Sequence, residues 1–132
     1  MKRTMLYVIA LAANISLLLV CLLYRLGAMV EYPAFITMHI IITVVNIIAA
    51  DKMWQVITLG VTHAITTFFA HLISWHLYSQ YLLNSFHIEH DYEGEYVSYY
   101  ACIIGLVFTL VLFIISLVVF LVQRKSKTNE NT

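Results

Sequence analysis

The residues with chemistry to offer are the histidines: His39, His63, His71, His76, His87 and His90. Imidazole can exchange a proton near neutral pH, ligate a divalent metal, or serve as an axial ligand to haem. Neighbouring residues decide among these uses. His87 and His90 are three residues apart in HIEHDYEGEY (residues 87–96), beside Glu89 and Asp91. If that piece is helical the two rings share a face, and imidazole with carboxylate is a donor set for zinc, nickel or copper. His71 and His76 lie shortly before and complete the candidate metal group. Structural zinc sites draw on about four fixed ligands at recognisable spacing. That spacing is absent, so a solvated acidic segment that carries histidines is the preferred reading, with pH sensing beside carboxylates as a related alternative.

His39 and His63 sit in long apolar stretches instead. The third such stretch, WQVITLGVTHAITTFFAHLISWHLY (residues 54–78), carries His63, His71 and His76 among Thr62, Thr66, Thr67 and Ser74. A helix in lipid has no reason to carry that polarity unless it faces protein, water or a ligand.

The elements that position these residues follow from composition. The chain has 132 residues, 62% hydrophobic and 11% charged, against about 25% charged in soluble domains. A membrane span needs about 20 mostly apolar residues. Four segments qualify, at residues 4–24, 33–50, 54–78 and 99–122. The first is too long for the apolar part of a signal peptide and no small-residue cleavage site follows, so it reads as an uncleaved span. Pro33 suits the first turn of the second helix. Asp51-Lys52 forms a tight turn, with Asp51 as a candidate cap for the third. Residues 79–98 read as an acidic, aromatic loop, and residues 123–132 as a polar, disordered tail.

Charge gives an orientation. With the N-terminus inside, Lys2, Arg3, Lys52, Arg124, Lys125 and Lys127 lie on the cytoplasmic side and only Arg25 lies outside, as the positive-inside rule expects. Tyr24, Tyr32, Trp75, Tyr78, Tyr81, Tyr99 and Tyr100 then form an outer aromatic belt. The expected fold is all-α: an integral-membrane, antiparallel four-helix bundle with both termini cytoplasmic and the acidic loop outside. Compact spans and short loops favour a bacterial plasma (inner) membrane. Zero net charge excludes a bulk attraction to nucleic acid, and the basic tail reads as a membrane-surface anchor.

Helical spacing separates inner from outer faces. Small or polar stripes run through Ala10, Asn14, Leu17 and Cys21; through His39, Thr43, Asn46 and Ala50; through His63, Thr66, Thr67, Ala70 and Ser74; and through Cys102, Gly105, Thr109, Leu112 and Ser116. Ile57, Val61, Ile65, Phe68 and Leu72 form the lipid-like face of the third helix. Such stripes let helices approach closely and hydrogen-bond. At about 1.5 Å per residue, His39 and His63 both lie roughly 15 Å from the inner end. Asn14 and Thr109 reach a similar depth, which predicts a mid-membrane polar layer of Asn14, His39, His63 and Thr109. Interhelical hydrogen bonding is its preferred role, and a proton, metal or small-ligand site is the alternative.

No Asp or Glu lies within a span, which weighs against a carboxylate-driven exporter. One mid-depth histidine pair is thin support for haem, so no cofactor is predicted and a divalent metal is the remaining option. Cys21 and Cys102 lie near the outer ends of their spans. They could form a disulfide if the first and fourth helices are neighbours, although separate packing of two small apolar residues is preferred. No nucleophile elbow, phosphate loop or catalytic constellation is present. The leading expectation is therefore a non-enzymatic membrane protein acting by helix–helix or partner contacts, as an accessory subunit or an immunity-type protein, with another membrane protein or its own copy as partner. Proton or divalent-metal transport or sensing, using the histidine pair and the outer His/acid loop, is the second expectation.

Overall fold

The computed structural model describes residues 2–27, 32–86 and 92–130. These residues form four helices and no strand: α1 (Lys2–Gly27), α2 (Tyr32–Ala49), α3 (Met53–Phe86) and α4 (Tyr92–Glu130). Among the described residues, two stretches, Met53–Ile73 and Cys102–Ser126, are long and apolar enough to cross a membrane, and Arg3–Ser16 and Ile36–Ala49 are apolar as far as they are described.

Helix ends differ from the sequence expectation at the end of α3 and at both ends of α4. Residues 79–86 continue α3 and residues 92–98 already belong to α4, where a loop was expected. Likewise α4 runs to Glu130 through residues expected to be a disordered tail. Hydropathy marks where lipid would end, not where backbone hydrogen bonding ends. Residues 79–86 contain neither Gly nor Pro, so nothing in them stops a helix. Arg124, Lys125 and Lys127 are good helix formers near a helix C-terminus, where positive charge complements the dipole. Residues 87–91 lie outside the described residues.

The tight turn between α2 and α3 is held by a side chain other than the expected one. Gln55 Oε1 accepts hydrogen bonds from the backbone N–H of Asp51 at 2.8 Å and of Lys52 at 3.0 Å. This is the returning half of a capping box, in which the third residue of a helix satisfies orphan donors before it. Asp51 pairs with Arg3 of α1 instead of capping α3.

Contacts give the helix directions. Tyr7 of α1 meets Trp54 of α3 edge-on at 5.4 Å, near the same end where Arg3 meets Asp51. His39 bonds His63, on either side of the α2–α3 turn. Gly60 lies against Phe113, and Gly105 against Thr67 and His71, so α3 and α4 run antiparallel. The most extensive interfaces join α3 to α4 and to α1, while α2 touches all three others. Among the described residues α1 and α4 are not in contact.

The described members of the small and polar stripes face inward. Ala10, Leu59, Ala70 and Thr109 have no solvent-accessible surface. Near the α2–α3 turn, Ala10, Ala49, Ala50, Val56, Leu59 and Phe120 form one apolar cluster. Outward faces are apolar too: Ile40, Ile41 and Ile48 on α2, Ile57, Val61, Ile65 and Leu72 on α3, and Ile104, Val107 and Ile114 on α4 are all exposed. Phe68, expected on that outward face, is half-buried, and Phe69 is exposed in its place. Continuous exposed apolar surface of this kind marks a membrane or a protein interface.

Candidate functional site

Among the described residues, two buried side-chain pairs stand out that cross between helices. In the first, His39 Nδ1 on α2 and His63 Nε2 on α3 are 2.7 Å apart. Their rings are nearly parallel, 26° between planes with centroids 5.0 Å apart. Neither residue is more than 3% exposed. The meeting follows from equal path lengths on either side of a short turn: each histidine lies ten residues along its helix from Ala49 or Met53. Phe108 of α4 closes over His39, edge to face at 6.0 Å.

The second pair is Asn14 and Asn46. Asn14 Nδ2 donates to Asn46 Oδ1 at 2.7 Å, and Asn46 Nδ2 donates back to Asn14 Oδ1 at 3.3 Å. Asn14 Nδ2 also reaches the Ala10 carbonyl of its own helix at 2.7 Å. Both amides are buried. Asn46 stands seven residues from His39, two helical turns or about 10.5 Å along α2. The polar residues thus occupy two levels, with Asn14 paired to Asn46 rather than joined to the histidines. Spacing put Asn46 on the inner stripe but did not single it out. Its signal was being the only other carboxamide on an inward stripe.

Thr109 is fully buried, yet its hydroxyl donates to Gly105 and Leu106 carbonyls of its own helix at 3.0 and 2.9 Å. Thr43, Thr67 and Ser116 also bond carbonyls four residues back. A short hydroxyl reaches its own helix backbone, which satisfies it locally. Carboxamide and imidazole are long enough to cross. Asn14–Asn46 and His39–His63 are hydrogen bonds that do cross between helices.

His71 turns toward α4. A Cβ on Gly105 would lie 3.1 Å from His71 Nε2, so the missing side chain is what admits the ring. His76 is exposed. Five residues separate the two, about 140° around a helix, so they present different faces and cannot chelate one ion together. His87, Glu89, His90 and Asp91 lie outside the described residues, and among the described residues no group of three or more His, Cys, Asp or Glu side chains converges on a metal position. Cys102 is buried on α4. The Cys21 side chain, and with it the disulfide expected as an alternative, lies outside the described ones.

The His39–His63 spacing also bears on metal binding. Two imidazoles on one tetrahedral zinc, each about 2.0–2.1 Å from it, stand roughly 3.3 Å apart. At 2.7 Å the two nitrogens are a hydrogen-bonded pair. One ring must donate and the other accept, which makes the pair suited to holding a proton between rings and unsuited, as packed, to an ion. No protein-family model, curated protein or solved structure matches the chain.

Proposed function

We propose that the chain is a multi-pass membrane protein, an antiparallel four-helix bundle with both termini on the cytoplasmic side, and that it works by contact with a membrane partner rather than by catalysis. An accessory-subunit or immunity-type role, or association with its own copy, fits this reading. The observation that carries it is the unequal length of α2 and α3, which leave the same turn. They have 18 and 34 residues, a difference of 34 − 18 = 16, or about 24 Å of helix. α3 alone is about 51 Å long, against roughly 30 Å for the hydrocarbon core of a bilayer, so its outer end would rise well beyond that core. The end of α3 and the start of α4 carry Tyr78, Tyr81, Tyr99, Tyr100, Glu93 and Glu95 and would reach the outer edge of the bilayer and beyond, a natural platform for a partner. Basic residues at the other end support the orientation.

Two measurements test the reading. Single-cysteine variants Asn84→Cys and Lys125→Cys, made with Cys21 and Cys102 changed to Ala, are treated with a membrane-impermeant maleimide in intact cells. Asn84→Cys is expected to label and Lys125→Cys to label only after permeabilisation; the reverse pattern would overturn the topology. A photo-crosslinker at Tyr100 is then expected to capture one defined membrane partner or a second copy. Crosslinking to lipid alone would sink the contact role.

One observation favours a second reading, proton handling in the membrane: the direct His39–His63 bond. Replacing both rings with Asn preserves hydrogen-bonding capacity and removes the groups that can take up or pass a proton. Unchanged cellular activity of that double variant would eliminate the proton reading. Selective loss of activity at normal membrane abundance would favour it over contact alone.

A further inference from the structure

Between α2, α3 and α4 the packing leaves a small cavity with room for about one water molecule. Apolar atoms of Gly60 and Phe113 close part of its wall, but four polar side chains also line it: Thr43 and Asn46 of α2, His63 of α3 and Ser116 of α4. They are 6%, 6%, 3% and 7% exposed. Cavities of this size lined only by hydrocarbon stay dry, whereas a buried water needs two to four polar partners. This one offers four, from three helices.

Their existing bonds define what the cavity can accept. The Thr43 and Ser116 hydroxyl hydrogens are used on the carbonyls of His39 and Leu112 at 2.8 and 2.9 Å. Both oxygens keep acceptor capacity. Asn46 Nδ2 gives one hydrogen to Asn14 and retains a second. His63 Nε2 is joined to His39, which leaves Nδ1 as the remaining hydrogen-bonding position of the ring. With His63 Nδ1 donating, two acceptors and two donors match the two donors and two acceptors of a water molecule; with Nδ1 accepting, the water can satisfy two of the three acceptors.

We infer that this cavity is a binding site for a single ordered water, which ties His63, Asn46, Thr43 and Ser116 together. A metal ion is not the fitting occupant, because no carboxylate or thiolate lines the wall. An anion is not either, because no cationic side chain does and the space is too small.

The water completes one network through all four helices. It links α2, α3 and α4 directly, and Asn46 carries the connection to Asn14 on α1. It also couples to the histidine pair. A neutral His63 ring has one N–H. If Nε2 holds it and donates to His39, Nδ1 accepts from the water, which then gives up its bond to Thr43 or Ser116. If His39 donates instead, Nδ1 holds the hydrogen and donates to the water. Reversing the His39–His63 bond therefore requires the water to turn as well.

The test is water-edited solid-state NMR on the full chain in lipid bilayers with histidine and asparagine side chains labelled with nitrogen-15. Early magnetisation transfer from water to His63 Nδ1 and Asn46 Nδ2 is expected, with exposed His76 as the positive control. In a Thr43→Val, Ser116→Ala variant both hydroxyl acceptors are gone; the early transfer to His63 is expected to vanish while the His39–His63 coupling across the hydrogen bond persists. No transfer to His63 in the wild type, with His76 responding, would overturn the site. Unchanged transfer in the double variant would do so too, since the water would then lie elsewhere. Should the double variant fail to fold, Thr43→Val alone, which keeps the side-chain shape, is expected to weaken the transfer.

Discussion

Asn14 and Asn46 exchange two hydrogen bonds across the α1–α2 interface, at 2.7 and 3.3 Å, with both amides buried. Each amide is the other's partner between helices, so removing one strands the other. Double-mutant cycles for hydrogen bonds inside membranes average about 0.6 kcal/mol and reach about 1.7, while a buried group left unsatisfied costs about 1–3 kcal/mol. Asn14→Ala and Asn46→Ala should each destabilise the bundle by about 1–2 kcal/mol. The double variant should lose clearly less than their sum, because the second change removes the stranded group. Reversible unfolding in bicelles or mixed micelles gives the cycle. Strict additivity would mean that the two amides do not act as a pair.

Close approach of α3 and α4 depends on Gly60. A Cβ there would run into the Phe113 ring, 2.7 Å from Cε2 and 2.8 Å from Cγ. At Gly105 the nearest atoms would be at 3.1 and 3.2 Å and belong to the His71 ring, with Thr67 Cγ2 also at 3.2 Å. Overpacking of this kind typically costs about 1–3 kcal/mol. Gly60→Ala is expected at the upper part of that range and Gly105→Ala below it. Phe113→Leu should recover part of the loss in Gly60→Ala and none in Gly105→Ala. Thermal denaturation of the purified variants in one detergent ranks them, and equal losses at both glycines would refute the steric assignment.

Helical spacing was informative because burial in an all-helical chain repeats every three to four residues. His39, Thr43, Asn46 and Ala50 form an inward stripe in the sequence and in the structure. Counting residues from a short turn placed His39 and His63 at the same depth, and the turn geometry makes that count reliable for neighbours in sequence. The same count carried no such guarantee for Asn14 and Thr109, whose helices are not joined to α2 or α3 by that turn. Asn14 pairs with Asn46, and Thr109 satisfies itself on its own backbone. Helix ends beyond the apolar windows were also illegible. Nothing in residues 79–86 opposes helix, yet their polarity reads as loop once lipid is taken as the only reason for a helix to exist.

Gln55 provides a sharper check on the α2–α3 turn. Its Oε1 accepts from two backbone N–H groups at the start of α3, at 2.8 and 3.0 Å. Loss of a helix cap costs about 1 kcal/mol. Gln55→Ala is expected to destabilise by about that amount, and Gln55→Glu to be neutral or stabilising, since a carboxylate accepts the same bonds and complements the helix dipole. Asp51→Asn should matter less: the Arg3–Asp51 pair has side chains 72% and 30% exposed, and surface ion pairs contribute about 0–1 kcal/mol. If Asp51→Asn costs more than Gln55→Ala in the same unfolding assay, Asp51 rather than Gln55 anchors the turn.

The His39–His63 pair makes a prediction about metals. With 2.7 Å between Nδ1 and Nε2, both nitrogens cannot bind one ion unless the helices separate by enough to widen the gap to roughly 3.3 Å. Phe108 packs on His39, and Gly60 and Phe113 lock α3 to α4 nearby, so separation works against the packing. Zinc added to the purified protein should therefore leave the nitrogen-15 resonances of His39 and His63 unmoved, even at concentrations that shift those of exposed His76. The scalar coupling between the two ring nitrogens should persist throughout. Loss of that coupling on adding zinc, restored by chelator, would show that the pair opens to take a metal, and the proton reading would then yield to a metal one.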